Sequence, residues 1–227
     1  MDSDWSNIQR RAYGAILFDM DGTLMDSERL SAVVLHRWLE SAGVDPSDVD
    51  HGSVEGYTWG HVQATISRAY PRLKSRPIAA ELVAEFDRVL AGGDVPEIPH
   101  AIRSVRQASA RFPTALVTSS RWSSVEVFLK SFEVGDCFST IVAAEDVRYH
   151  KPDPAPYLSA AKRLGVSPAD CLVFEDSPPG VVSALEANMT VIKLGSQQAP
   201  PTHAVPHITD FTHLPDQFFS RLSRTSS

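Results

Sequence analysis

Two aspartates one residue apart, Asp19 and Asp21, end the run Ala-Ile-Leu-Phe-Asp-Met-Asp-Gly-Thr-Leu at 15–24. The apolar stretch 15–18 reads as a buried strand, so both acids fall at its carboxyl end. Two like charges about 4 Å apart repel by roughly 4 kcal/mol at an effective dielectric near 20. A chain that crowds carboxylates in this way needs a cation, a shared proton, or both. Gly22 follows at once, where a sharp turn calls for positive φ. Thr23 is a side chain that could cap that turn.

The same arrangement recurs further on. A strand at 114–117 runs into Thr118-Ser119-Ser120, and one at 171–174 runs into Glu175-Asp176-Ser177. The loop after a strand at 139–143 carries His150-Lys151-Pro152-Asp153-Pro154. Taken singly, these segments have plain readings: a helix cap, a solvated loop, a turn into a helix. Taken together they put hydroxyls, one ammonium and several carboxylates at the carboxyl edge of one sheet, where ligands bind in open α/β folds.

The elements between these segments supply that sheet. Helices at 100–111, 123–132, 154–164 and 179–187 alternate with strands, the last strand spanning 190–194. Such alternation predicts a parallel sheet covered on both faces. Between 28 and 96 the spacing is helical throughout, at 28–42, 59–69 and 78–91, with no strand. The expected fold class is α/β: a Rossmann-like, doubly wound parallel sheet core with an inserted all-helical cap domain. The core takes 13–27 and 97–223, and the cap takes 28–96. Residues 199–206 are Pro-rich and read as a linker or surface arm. A short helix is expected near 214–222, and disorder at 1–12 and 224–227.

Composition narrows the partners. The formal net charge is −7 with no basic cluster, which argues against a nucleic-acid backbone. No apolar run approaches the roughly 18 residues of a membrane span, and residues 1–5 lack a signal peptide's basic start. Cys137 and Cys171 form no CxxC pair and read as reduced structural thiols of a cytoplasmic protein. A monomer is the default expectation.

Asp-Met-Asp-Gly-Thr-Leu resembles the first motif of the haloacid dehalogenase superfamily. Thr118 matches its second motif, Lys151 in Lys-Pro-Asp-Pro its third, and Glu175-Asp176 its fourth. The resemblance spans roughly 13–195, and the helical insert is similar to the small cap of the subgroup containing β-phosphoglucomutase and sugar- or glycerol-phosphate phosphatases. It implies that Asp19 attacks phosphorus to form an aspartyl-phosphate, with Asp21 as general acid and base. It implies that Thr118, the Ser119 backbone N–H and Lys151 hold the phosphoryl group. Mg²⁺ is the implied cofactor, held by Asp19, the Asp21 backbone carbonyl, Glu175 and Asp176, a set of hard oxygens.

The partner so implied is a small phosphorylated metabolite, bound with help from Glu28, Trp59 and Arg121. The cap segment 55–61 resembles the family's specificity loop. Trp59 stands where phosphomutases carry a basic residue, and Ser31 stands in place of their cap-hinge His. Both departures favour a sugar or polyol phosphatase. A phosphosugar mutase, or a nucleotide or phosphoglycolate phosphatase, is the alternative.

Overall fold

The computed structural model describes residues 5–49, 59–92, 95–195 and 205–225. The chain divides into two compact units, Met1–Met25 with Glu97–Ser227, and Asp26–Pro96.

The first unit opens with α1 (Ser6–Gln9), β1 (Ala12–Tyr13) and β2 (Ala15–Phe18). The second unit holds α2 (Ser27–Ser41), α3 (Trp59–Ala69) and α4 (Ile78–Ala91). The first unit then resumes with α5 (Ala101–Ser109), β3 (Thr114–Val117), α6 (Trp122–Phe132), β4 (Thr140–Val142) and α7 (Ala155–Leu164). It closes with β5 (Cys171–Glu175), α8 (Pro178–Glu186), β6 (Thr190–Leu194), β7 (His207–Ile208), α9 (Phe218–Arg221) and β8 (Ser223–Arg224).

The main sheet has the order β4-β3-β2-β5-β6-β7, and every pairing is parallel. Its central strands are buried at every position, as expected of strands covered on both faces. On one face Ala15, Leu17, Val117, Val173 and Val191 pack with Tyr157 and Ala160 of α7 and Val181 of α8. On the other, Phe18 and Phe174 are register partners whose rings stack at 5.2 Å. Phe211, Phe218 and Phe219 extend that aromatic layer. With β2 between β3 and β5, the loops after these strands emerge side by side at one edge, and this juxtaposition builds the site.

The helical unit packs its own core. Leu30, Val34, Leu35 and Leu39 of α2 are buried, as are Val62 and Ile66 of α3 and Ile78, Leu82 and Leu90 of α4. Asp26 caps α2 by accepting from Arg29 N at 3.0 Å. Gly43, at φ 66°, follows its end. Trp38 Nε1 donates to Glu81 at 2.8 Å, and Arg76 lies over the Trp38 ring at 5.1 Å. The described residues of this unit hold no strand, and α3 and α4 fall where helical spacing predicts them.

The structure departs from expectation at the ends. Rather than disorder, residues 6–9 form a helix, and Ala12–Tyr13 pair in parallel with Ser223–Arg224. Beyond the Pro-rich stretch, His207–Ile208 add a strand to the sheet edge. Strands of two residues leave no periodicity to read. The helix expected near 214–222 contracts to Phe218–Arg221. Cys171 is buried, Cys137 is half-buried, and both are free thiols. Among the described residues no helix is long and apolar enough to cross a membrane.

Candidate active site

Asp19 leaves β2 with its backbone N–H bonded to Phe174 O of β5 at 3.0 Å, so the end of β2 is held against the end of β5. The chain turns through Gly22 at φ 75°, with Gly22 N donating to Met25 O at 2.8 Å. A Cβ at Gly22 would meet Asp176 Oδ2 at 2.2 Å, so this glycine permits a close approach as well as a turn. Thr23 is buried, and its hydroxyl donates to Asp176 Oδ1 at 3.1 Å. It therefore ties the first loop to the acidic one rather than only capping the turn.

Lys151 sits at the centre. Its ammonium donates to Asp19 Oδ1 at 2.6 Å, Glu175 Oε1 at 2.7 Å and the Val117 carbonyl at 3.0 Å. The Tyr157 ring covers it at 5.0 Å, and the Tyr157 hydroxyl donates to Glu175 Oε1 at 3.3 Å. The second Glu175 oxygen accepts from Ser177 N at 2.7 Å and Ser177 Oγ at 3.0 Å. Gly180 of α8 lies directly against that carboxylate, since a Cβ there would fall 1.6 Å from Glu175 Oε1. Among the described residues, Asp19 Oδ2 accepts no hydrogen bond.

Asp21 faces a different set of groups. Ser120 Oγ donates to its Oδ2 at 2.6 Å, and Thr118 Oγ1 donates to the same atom at 3.2 Å. Ser120 N in turn holds Thr118 Oγ1 at 2.9 Å. The two aspartates of the first loop are thus separated by partner: Asp19 lies on an ammonium and Asp21 on two hydroxyls.

Carboxylate atoms of Asp19, Glu175 and Asp176 lie within 4.8 Å of one another. Burial raises the Asp19 pKa well above the carboxylate range, Lys151 opposes the shift, and the neighbouring acids add to it. Burial likewise raises Asp21, against the hydrogen bonds of Ser120 and Thr118. Asp176 is pushed up to about 7, first by burial and then by the charge of Glu175. Burial acts to lower Lys151, but Asp19, Tyr157 and Glu175 hold it well above lysine's usual value. The site is a set of acids short of positive charge. Its three clustered donors are hard oxygens with no His or Cys, which fits Mg²⁺.

The structure brings together Asp19, Asp21, Thr118, Lys151, Glu175 and Asp176. Ser119 and Arg121 lie exposed just beyond β3, with Arg121 immediately preceding α6. Glu28 lies exposed in the first turn of α2. Trp59 begins α3 with its ring edge-on to Phe86 of α4 at 6.3 Å, a packing contact within the helical unit. Positions 55–58 of the expected specificity loop fall outside the described residues. Ser120 also touches Asp21, and Tyr157 and Ser177 touch Glu175, though none of the three stands out in the sequence. Tyr157 lies six residues after Lys151, which puts it in the first turn of α7.

Comparison with known proteins agrees with this arrangement. Residues 16–194 match the family model described as haloacid dehalogenase-like hydrolase. A bifunctional riboflavin kinase/FMN phosphatase of Arabidopsis thaliana is 31% identical over 213 residues, covering 92% of this chain but 52% of that protein. This chain therefore spans about half of that relative. A fructose-1-phosphate phosphatase of Escherichia coli K12 is 31% identical over 181 residues, covering 79% of this chain and 95% of the relative. The crystal structure of a hydrolase of this family from Deinococcus radiodurans, with bound phosphate and sodium, superposes with a TM-score of 0.72 at 24% identity. That likeness covers 94% of this chain and 99% of the other, and it establishes the fold. The four polar loops at one sheet edge and the match over 16–194 lead to one conclusion: the chain belongs to the haloacid dehalogenase-like hydrolases.

Proposed function

We propose that the protein is a Mg²⁺-dependent phosphatase of small sugar or polyol phosphomonoesters. The observation that carries this reading is the separation of Asp19 from Asp21. Lys151 grips one oxygen of Asp19, and the other oxygen accepts nothing among the described residues. That oxygen is the one suited to attack phosphorus. Asp21, held by Ser120 and Thr118 and raised in pKa by burial, is suited to carry a proton.

In the first step the Asp19 oxygen bonds to phosphorus and the bond to the leaving oxygen breaks. Asp21 gives that oxygen its proton, which yields an alcohol and an aspartyl-phosphate. In the second step water attacks phosphorus, Asp21 takes the water's proton, and phosphate leaves with the Asp19 carboxylate regenerated. Lys151 offsets charge on Asp19 and on the transferring group throughout. Asp19, Glu175 and Asp176 would hold Mg²⁺, with the Asp21 carbonyl as a further ligand. When bound, the ion supplies positive charge against the phosphoryl oxygens.

The similarity to a fructose-1-phosphate phosphatase supports a sugar phosphate as substrate. The similarity to an FMN phosphatase makes a flavin mononucleotide the natural contrast. Phosphate release should be measured with Mg²⁺ on a panel of hexose, polyol and nucleotide monophosphates. The expected result is turnover concentrated on the sugar and polyol esters, abolished in a folded Asp19→Asn variant. Near wild-type turnover by Asp19→Asn, or release confined to nucleotides, would overturn the reading.

A further inference from the structure

Lys193 is the fourth residue of β6, Thr-Val-Ile-Lys-Leu, and it is fully buried, with Ile192 and Leu194 on either side of it in the strand and Glu175 and His207 beside it on the adjacent strands. Its register partner on the adjacent parallel strand is Glu175. Register partners project to the same face, from strands about 4.8 Å apart. Val191 and Val173, two residues earlier on the same two strands, do share one core cluster. Lys193 therefore lies on the face of the sheet that carries Glu175.

Its ammonium is poorly served for a buried cation. Among the described residues it donates one side-chain hydrogen bond, to the Leu194 carbonyl at 3.0 Å, although it carries three N–H groups. Glu175 gives it no direct ion pair, because both Glu175 oxygens are taken by Lys151, Tyr157 and Ser177. A buried lysine without a carboxylate partner is costly unless a field offsets the cost. The field here comes from the acidic cluster. Burial pulls the Lys193 pKa below its usual value, and Asp176 and Glu175 push it back up.

We propose that Lys193 is a second buried cation of the site, a positioning residue that sets how tightly the acidic cluster holds Mg²⁺. The proposal rests on reading Glu175 and Asp176 as metal-holding residues. Asp19, Asp21, Glu175 and Asp176 outnumber the single ammonium of Lys151, which touches only Asp19 and Glu175. Lys193 adds a positive charge from the adjacent strand β6 without occupying a ligand atom. It thereby lowers the mutual repulsion of the acids in the metal-free protein. For the same reason it opposes the arrival of a divalent cation, so Mg²⁺ binds less tightly than the carboxylates alone would bind it. A site that must release phosphate and rebind substrate is then not locked by its own ion.

The test is calorimetric titration of Mg²⁺ into wild type, Lys193→Met and Lys193→Gln. It is run at about pH 8, above the value near 7 to which Asp176 is pushed. Both variants remove the charge, one with an apolar chain of similar length and one with a polar chain, so either suffices if the other fails to fold. The expected result is a Mg²⁺ Kd lower on the order of tenfold in the folded variants. General damage to the strand would loosen the ligands and raise Kd, so the sign separates the two explanations. An unchanged or raised Kd, with Asp176→Asn weakening Mg²⁺ as expected, would overturn the proposal alone. A wild-type Kd that Asp176→Asn leaves unmoved would overturn the metal reading and this proposal with it.

Discussion

Replacing Lys151 by Met tests what holds the acidic cluster together. The Lys151 side chain is 5% exposed and its partners Asp19 and Glu175 are 8% and 0% exposed, so solvent screens neither pair appreciably. At 2.6 and 2.7 Å, each attraction amounts to about 6 kcal/mol at an effective dielectric near 20, before desolvation is subtracted. Most of that gain is spent on burying the charges. The measurable cost of deleting one partner of a buried pair is therefore about 3–5 kcal/mol. Lys151→Met also leaves the Val117 carbonyl without its side-chain donor and leaves the Asp19, Glu175 and Asp176 carboxylates facing one another uncompensated.

For a chain of this size each kcal/mol moves Tm by about 2–4 °C, so Lys151→Met should melt about 10 °C below wild type in chelator. The assay is thermal unfolding followed by circular dichroism, with EDTA and then with excess Mg²⁺. Mg²⁺ should recover part of the loss, since it supplies charge to the same acids. Asp19→Asn should cost less, because Lys151 keeps Glu175 as a partner and one of the crowded carboxylates is removed. The double variant should be more stable in chelator than Lys151→Met alone. A Lys151→Met protein melting within about 2 °C of wild type in EDTA would refute the reasoning. It would mean that the acids are kept neutral by protons and need no ammonium.

The other predictions concern the same cluster. Burial and the charge of Glu175 push Asp176 up to about 7, so the folded metal-free state keeps a proton that the unfolded chain releases. Stability in EDTA should therefore fall as pH rises from about 4 to 7. Chemical denaturation across that range should show the slope, and Asp176→Asn should reduce it while Asp19 and Asp21, also raised by burial, keep part of it. Gly180→Ala would place a Cβ 1.6 Å from Glu175 Oε1. Overpacking of that kind costs about 1–3 kcal/mol, and Mg²⁺ titration should show weakened binding as Glu175 is displaced. Phosphate release should stop in exhaustive chelator and return with added Mg²⁺; full turnover without metal would remove the ion from the reaction.

The parts of the site legible in the sequence share one property. Asp19, Asp21, Thr118, Lys151, Glu175 and Asp176 each lie at the end of a strand or in the loop that follows one. Their chemistry can be read locally, and parallel topology then delivers them to one edge. Helices with strong apolar periodicity, such as α3 and α4, were legible for a similar reason. The two-residue strands β1, β7 and β8 were not, because they exist only through pairing with distant partners.

Tyr157, Ser120 and Lys193 show why the rest of the site stays hidden. In sequence, Tyr157 is an apolar-face residue of an amphipathic helix, and its hydroxyl matters only because α7 packs where Glu175 ends. Ser120 is one hydroxyl in a run of three, and it stands out only once its Oγ lies 2.6 Å from Asp21. Lys193 interrupts an apolar strand, which in sequence reads as a surface position. It lies on the face of β6 that packs against α8, and that cover makes the lysine internal. Its charge then has to be set against the acids one strand away. A local motif can thus disclose which atoms react. The field that tunes those atoms depends on register and strand order, because electrostatic coupling follows distance in space and not along the chain.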